Sequence, residues 1–256
     1  MRFKNFMQLA ELYVSSNLRI EVSSYYLNFV WWILEPLLMM CVFYVVFDIM
    51  LHQGTDNFVG FLLVGLTAWN WFGRSVGNSK NSIYDARGLI LQVRIPKCFF
   101  PFVTNCQDAF KHLFVCALLL LFLCFYPTPV TITWAALPVL MLVQFILIFA
   151  VSLFCSALVP FVPDLGFVIS TGIELLFFAS GVFYDLDRMV IPKHSFFVYL
   201  NPMAGLIKNY RMVLLYGQWP DWKYLAVVAL CSSFFAAVFL LFLRKYDHVY
   251  PKVCQQ

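Results

Sequence analysis

Six stretches of this chain are apolar over the length needed to cross a bilayer, and most of the charge lies between them. A hydrocarbon core of ~30 Å takes about 20 helical residues. The runs at 26–50, 58–76, 106–126, 134–159, 165–184 and 222–243 meet that length. The first 24 residues follow another pattern. Phe3, Phe6, Met7, Ala10, Tyr13, Val14 and Leu18 recur at helical spacing, with Lys4, Gln8, Glu11, Ser15 and Arg19 mostly opposite. Such a helix lies in the membrane interface, or packs on a partner from the soluble side.

A third pattern fills 185–221, where apolar and charged residues alternate without a crossing-length run. Asn201-Pro202 signals a turn and then a helix start. Met203, Leu206, Ile207, Tyr210 and Val213 or Leu214 then form a stripe that Lys208 and Arg211 lie off, and Gly217 and Pro220 end it. Two short amphipathic helices are expected, either dipping into the outer interface or forming an external cap. The fold class expected is an all-α integral membrane protein with six transmembrane helices, forming a single domain over 1–256.

Composition agrees. Of 256 residues, 62% are hydrophobic and 12% charged, and the mean hydropathy is +0.82. That leaves too little polar surface to cover a water-soluble globule. Cys41, Cys116, Cys124, Cys155 and Cys231 lie inside apolar runs, and Cys98, Cys106 and Cys254 have no CxxC or CxxH spacing. Neither a disulfide framework nor a metal site is expected. The first 20 residues lack an apolar core followed by a small-residue cleavage site, so they read as retained.

Charge gives an orientation. Arg2, Lys4 and Arg19 precede span one; Arg74, Lys80, Arg87, Arg94 and Lys97 lie between spans two and three; Arg244, Lys245 and Lys252 follow span six. The connectors 53–57 and 127–133 carry neither Lys nor Arg. The positive-inside rule then puts both termini in the cytoplasm. Two segments fit less well: 160–164 has no basic residue, and 185–223 has five, offset by Asp185, Asp187 and Asp221.

Catalytic chemistry is not in evidence. Gly60 to Thr67, GFLLVGLT, has the glycine spacing of a phosphate-binding loop, but Leu66 stands in place of its lysine and the stretch is inside a span. ATP binding by this chain is not expected. There is no HExxH or GxSxG, and the four histidines are scattered. A membrane-embedded transferase would need converging acids or histidines, so that class loses its support.

The charges at membrane depth are the remaining candidates. Glu35 precedes Pro36 early in span one, where it either satisfies freed backbone groups or meets substrate. Glu174, mid-way along span five, must face a polar pathway, pair with a cation or be protonated. Asp108, Lys111 and His112 sit at i, i+3 and i+4, within reach of local pairing. Leu176 to Asp185, LFFASGVFYD, gathers Phe177, Phe178, Phe183 and Tyr184 around small residues. Such aromatics line a path for sugar rings or simply pack between helices.

Arg94 to Pro101, RIPKCFFP, brackets a basic pair and two phenylalanines with prolines. Pro96 should end the helix before it, and Pro101 allows a fresh start toward span three. Phe99 and Phe100 are expected to anchor in the interface. Arg94 and Lys97 either receive an anionic headgroup or serve as positive-inside anchors.

Four segments together carry a family resemblance. WWILEPLLMM (31–40) follows the amphipathic helix, VRIPKCFFP (93–101) precedes span three, GVFYD (181–185) ends span five, and YLNPMAGLIKNYR (199–211) precedes span six. In order and spacing, the chain resembles the membrane subunit of ABC-2 type polysaccharide exporters, which move O-antigen, capsule or teichoic acid chains. The resemblance implies a permease subunit in the bacterial inner membrane, exporting a lipid-linked glycan, O-antigen before capsule or teichoic acid. A drug or small-lipid permease of the same superfamily is the alternative.

It also implies a homodimer, with membrane lipids around it, no nucleic acid, and no cofactor in this chain. Two ABC nucleotide-binding subunits would bind ATP and Mg²⁺. Spans one, two and five would line a channel, with Trp31, Trp32, Glu35, Tyr44, Glu174, Phe177, Phe178, Phe183 and Tyr184 facing it. A cytoplasmic coupling helix over 78–92 would present Ile83, Tyr84, Asp85, Arg87 and Leu89 to the ATPase. Arg19, Arg94 and Lys97 would form the cytoplasmic gate, and 185–221 would sit at the periplasmic exit.

Overall fold

The computed structural model describes residues 3–24, 34, 37–38, 41–42, 44–50, 58–93, 95–126, 130–185 and 201–253. Within them the chain is helical, and no strand occurs among the described residues. In chain order the helices are α1 (Phe3–Ser24), α2 (Phe58–Ser79), α3 (Ser82–Asp85), α4 (Arg87–Gln92), α5 (Phe99–Phe125), α6 (Leu137–Leu158), α7 (Leu165–Ala179), α8 (Pro202–Leu214), α9 (Trp222–Lys245) and α10 (Tyr250–Val253). A π-helical turn covers Tyr44–Met50, and a 3₁₀ turn, Ile132–Ala136, leads into α6.

Among the described residues, three helices are long and apolar enough to cross a membrane: α5, the 3₁₀ turn with α6, and α9. Shorter α7 is also apolar. The α9 face bearing Val227, Leu230, Phe234, Val238 and Leu241 is exposed at a spacing of three to four residues, which suits contact with lipid. The expected first span and the first of the two expected short helices fall largely or wholly outside the described residues.

At the centre stands α2. Sixteen of its 22 residues are buried, so its apolar surface meets protein nearly all round. It touches α5, α6, α7 and α8. Buried polar bonds tie this centre together: Gln144 Nε2 donates to the Ala68 carbonyl at 2.7 Å, and Ser79 Oγ and Ser152 Oγ both reach Asn105 Oδ1, at 2.6 and 3.2 Å. In an apolar surround such bonds fix which helix faces meet.

The hydrophobic core has two layers. One gathers α2, the end of α5, the start of α6, α8 and the start of α9. The other gathers Ala10, Ile83, Ile90, the start of α5, the ends of α6 and α9, and Tyr250. Thus α1, the α2–α5 connection and the C-terminal turn share one end of the bundle. Those are the three segments where the basic groups cluster in the sequence.

Several boundaries differ from expectation for physical reasons. Helix α5 begins at Phe99 instead of 106, because Pro101 in its first turn costs no hydrogen bond. Phe99 and Phe100 are 0% and 5% exposed. They are core residues and not interface anchors: the Phe99 ring meets Phe6 at 5.4 Å and Tyr13 at 5.8 Å, docking α1 on α5. Helix α7 ends at Ala179 instead of 184, since Gly181 turns the chain with φ 66°. The single helix expected over 78–92 is instead the end of α2 followed by two short turns, α3 and α4, that meet at Ala86.

Candidate functional site

Among the apolar helices, α7 is the least buried. Of its 15 residues only Gly166 is buried, and Ile169, Ile173 and Phe177 are the half-buried hydrophobics that it packs against the α2-centred core. Phe167, Thr171, Glu174 and Phe178, four and three residues apart, form one face, and all four are exposed. A carboxylate and a hydroxyl thus share an open stripe with two aromatic rings. Glu174 sits on that stripe, mid-way along the helix.

Two cations hold this helix at its ends. At the start, Lys80 Nζ donates to the Gly166 carbonyl at 2.9 Å and also reaches Ser170 Oγ. At the far end, Arg211 Nη1 donates to the Gly181 carbonyl at 2.8 Å and Nη2 to the Val182 carbonyl at 2.5 Å. Nε and Nη2 of the same guanidinium reach the Phe61 carbonyl of α2 at 3.3 Å each, and the group lies 3.3 Å from the centroid of the Phe61 ring. The carbonyls past a helix end lack intrahelical partners and favour a cation. Four bonds and a ring face offset the cost of burying Arg211.

Glycine makes that clamp possible. A Cβ at Gly65 would stand 2.6 Å from Arg211 Nη2 and 2.9 Å from the Val182 carbonyl oxygen. The glycine spacing of GFLLVGLT is therefore a packing device in α2: Gly60 faces Tyr126 and Leu215, and Gly65 faces the arginine.

Asn201 completes the staple. Its Oδ1 accepts from Met203 N at 3.1 Å, capping α8, while Nδ2 donates to Ser180 Oγ at 2.8 Å. Ser180 Oγ in turn donates to the Leu176 carbonyl at 2.5 Å. GVFYD and the Asn-Pro segment, far apart in sequence, are thereby bolted together. Around this junction the rings connect: Trp69–Phe177 5.7 Å, Phe177–Phe178 5.3 Å, Phe178–Phe183 5.8 Å and Phe183–Tyr184 5.2 Å between centroids. Tyr184 Oη donates to the Phe178 carbonyl at 2.8 Å.

Arg211 corrects an expectation. It lies off the apolar stripe of α8, yet ten of the 13 residues of α8 are buried, Arg211 at 5% exposure among them. The helix is inserted in the protein and does not lie on its surface. Lys80 was expected among the charges around the coupling segment, and it bonds to α7 instead.

The coupling residues divide by burial. Ile83 is 0% exposed and Ile90 5%, both in the second core layer, so they anchor α3 and α4. Asp85 and Arg87 are exposed, and Tyr84 and Leu89 are half-buried. The Arg87 guanidinium lies 4.8 Å from the centroid of the Tyr84 ring.

At the expected cytoplasmic gate, Lys97 is 3% exposed. Its ammonium donates to the Ile95 carbonyl at 3.1 Å and pairs with Asp247 at 3.7 Å. That commits the charge to the C-terminal turn, where it is not presented to a headgroup. Burial beside it pushes the Cys98 thiol above its ordinary range. Arg19 is exposed and, with Gln8, Glu11, Leu12, Ser15 and Ser16, lines an open groove of about 600 Å³. Trp31, Trp32, Glu35, the Tyr44 side chain and Arg94 lie outside the described residues. No group of three or more metal-ligating side chains occurs among the described residues.

Comparison with known proteins fits this arrangement. The family model described as "ABC-2 type transporter" matches residues 109–215, from α5 through α8. An O-antigen export system permease protein RfbA of Myxococcus xanthus is 31% identical over 225 residues, covering 86% of this chain and 85% of the relative. A Klebsiella pneumoniae protein of the same name is 25% identical over 240 residues, 93% of this chain and 92% of its own length. The matched region holds both halves of the Arg211 junction. With a relative this similar along most of its length, the chain belongs to the ABC-2 type membrane permeases, in the polysaccharide-export group that includes the O-antigen permeases.

Proposed function

We propose that this protein exports a lipid-linked polysaccharide, an O-antigen, across the bacterial inner membrane, as a homodimer of six-span subunits with both termini cytoplasmic. Two separate ABC subunits supply ATP hydrolysis. The names of the relatives support the substrate class, and the observation that carries the reading in this chain is the open face of α7. A mobile glycan needs a surface that packs on sugar C–H faces and exchanges hydrogen bonds without holding any ring tightly. Phe167 and Phe178 supply the first, and Thr171 and Glu174 the second.

The same reading gives a route for the ATPase. Exposed Asp85 and Arg87, with Tyr84 and Leu89 beside them, form the docking surface, and Ile83 keys it to the core. Lys80 stands two residues before α3 and grips the first turn of α7. Displacement of α3 by the ATPase is thus transmitted to one end of α7, while Arg211 holds the other end fixed. Arg19 and Arg94 receive the anionic headgroup at the cytoplasmic side, and the Arg211 junction borders the periplasmic exit.

Deletion of the gene tests this directly. Lipid-linked glycan should accumulate inside the cell while surface glycan is lost. Normal surface glycan in the deletion strain would refute polysaccharide export. Exchanging the charges at Asp85 and Arg87 should leave ATP hydrolysis but lower export per ATP; unchanged coupling would remove α3–α4 from the route.

A further inference from the structure

The open stripe of α7 begins one position before the helix. Asp164, Phe167, Thr171, Glu174 and Phe178 follow one another at three- and four-residue spacing, and all five are exposed. Asp164 has helical dihedrals, φ −61° and ψ −23°, and its side chain makes no capping bond, so its carboxylate continues the stripe. The two carboxylates are about 15 Å apart along the helix axis. In order, the stripe offers a carboxylate, a ring, a hydroxyl, a second carboxylate and a second ring.

Among the described residues, no cation pairs with Asp164 or Glu174. From 160 to 187 the sequence holds Asp164, Glu174, Asp185 and Asp187 but no Lys, Arg or His. Helix α6, which packs on α7, has no charged side chain. The one charged residue of α2 is Arg74, which lines a cleft toward α5 with Asp108 and Lys111. Lys80 and Arg211 grip the ends of α7 through backbone carbonyls, Lys80 from the side that faces α2. A carboxylate left unpaired at membrane depth calls for water around it.

On the reading of α7 as the polysaccharide path, on which this depends, we infer that the stripe selects a glycan of uncharged sugars. It repels a chain that bears a carboxylate or a phosphate in each repeat. Hydroxyls of a neutral sugar donate to Glu174, while its C–H faces pack on Phe167 and Phe178. An anionic sugar at the same distance meets like charge, and repulsion of the wrong ligand is a source of specificity. The lipid headgroup passes Glu174 once per molecule, whereas an anionic chain would meet it at every repeat. A teichoic acid, with phosphate in each repeat, is therefore disfavoured.

The glycolipid that accumulates in the deletion strain supplies the test. Two probes are built on its lipid: a galactose oligomer and a galacturonate oligomer of the same length, which differ only at C6. Inverted membrane vesicles bearing the permease with its ATPase should carry the neutral probe inward about fivefold faster. Glu174→Gln should bring the two rates within about twofold of each other. Glu174→Lys should favour the galacturonate probe. The ratio of rates is the readout, because a loss of folding or of ATP coupling lowers both together. Equal rates in the parent, or a ratio left unchanged by Glu174→Gln, would overturn the charge selectivity and leave polysaccharide export standing. Movement of neither probe would overturn the export reading itself, and the selectivity with it.

Discussion

Helices α2 and α7 are both apolar and lie against one another, yet protein surrounds one and leaves most of the other open. Only six of the 22 residues of α2 escape burial, whereas only Gly166 of α7 is buried. The difference separates two uses of an apolar helix. In α2 the side chains fill space between neighbours, with glycines where neighbours approach closest. In α7 the contacts are concentrated at the two ends, where Lys80 and Arg211 bind backbone carbonyls, and at Ile169, Ile173 and Phe177 between them. A helix gripped at its ends can keep a long face available without losing its position.

Substitutions should break this contrast in a graded way. Arg211→Gln carries the largest expected effect, because it leaves the buried Gly181, Val182 and Phe61 carbonyls without the guanidinium. Thermal denaturation of the purified protein should register a loss of about 3 kcal/mol. Gly65→Ala should approach that loss, at about 1–3 kcal/mol, since its Cβ meets both Arg211 and backbone. A parent-like melting curve for either would mean that the junction does not hold α7.

Asn201→Ala comes next, at about 1 kcal/mol, for the lost cap of α8 and the lost bond to Ser180. Phe178→Ala should move stability least, within about 0.5 kcal/mol, because the ring is 57% exposed. Its export rate should nonetheless fall severalfold. Loss of folding in proportion to loss of export would assign Phe178 to packing instead. Gly60→Ala is the control within α2. Its Cβ would meet only side-chain atoms, at 3.1 and 3.3 Å, so a change near zero is expected, and a loss equal to that of Gly65→Ala would contradict the special role of the clamp.

Much of this architecture is legible in the sequence, for reasons that also mark the limits. Apolar runs locate α2, α5, α6, α7 and α9, because crossing length and hydropathy act locally. The helix start at Asn201-Pro202 reads correctly, since that pair acts on the next turn alone. The end of α7 could have been placed better: Gly181 after a helical run is a stop signal, but the aromatic residues beyond it extend the apolar count.

What was not legible depends on contacts between distant segments. Periodicity puts Arg211 off the apolar stripe of α8, but it cannot say that α2 and the Gly181 turn cover that side. The 160–164 connector has no basic residue of its own, and Lys80, 86 positions from Gly166, serves the neighbouring turn. Lys97 in RIPKCFFP looked like a membrane-facing charge, yet its partner Asp247 comes from the C-terminal turn. Each miss is a cation whose partner lies far along the chain.

Photo-crosslinking tests the central claim most directly. A benzophenone side chain placed at position 178 on α7, or at 234 on the lipid-facing side of α9, can be activated in cells during export. The account predicts glycan-bearing adducts at 178 and phospholipid adducts alone at 234. Glycan captured equally at both positions, or at neither, would contradict the assignment of the α7 face to the polysaccharide path.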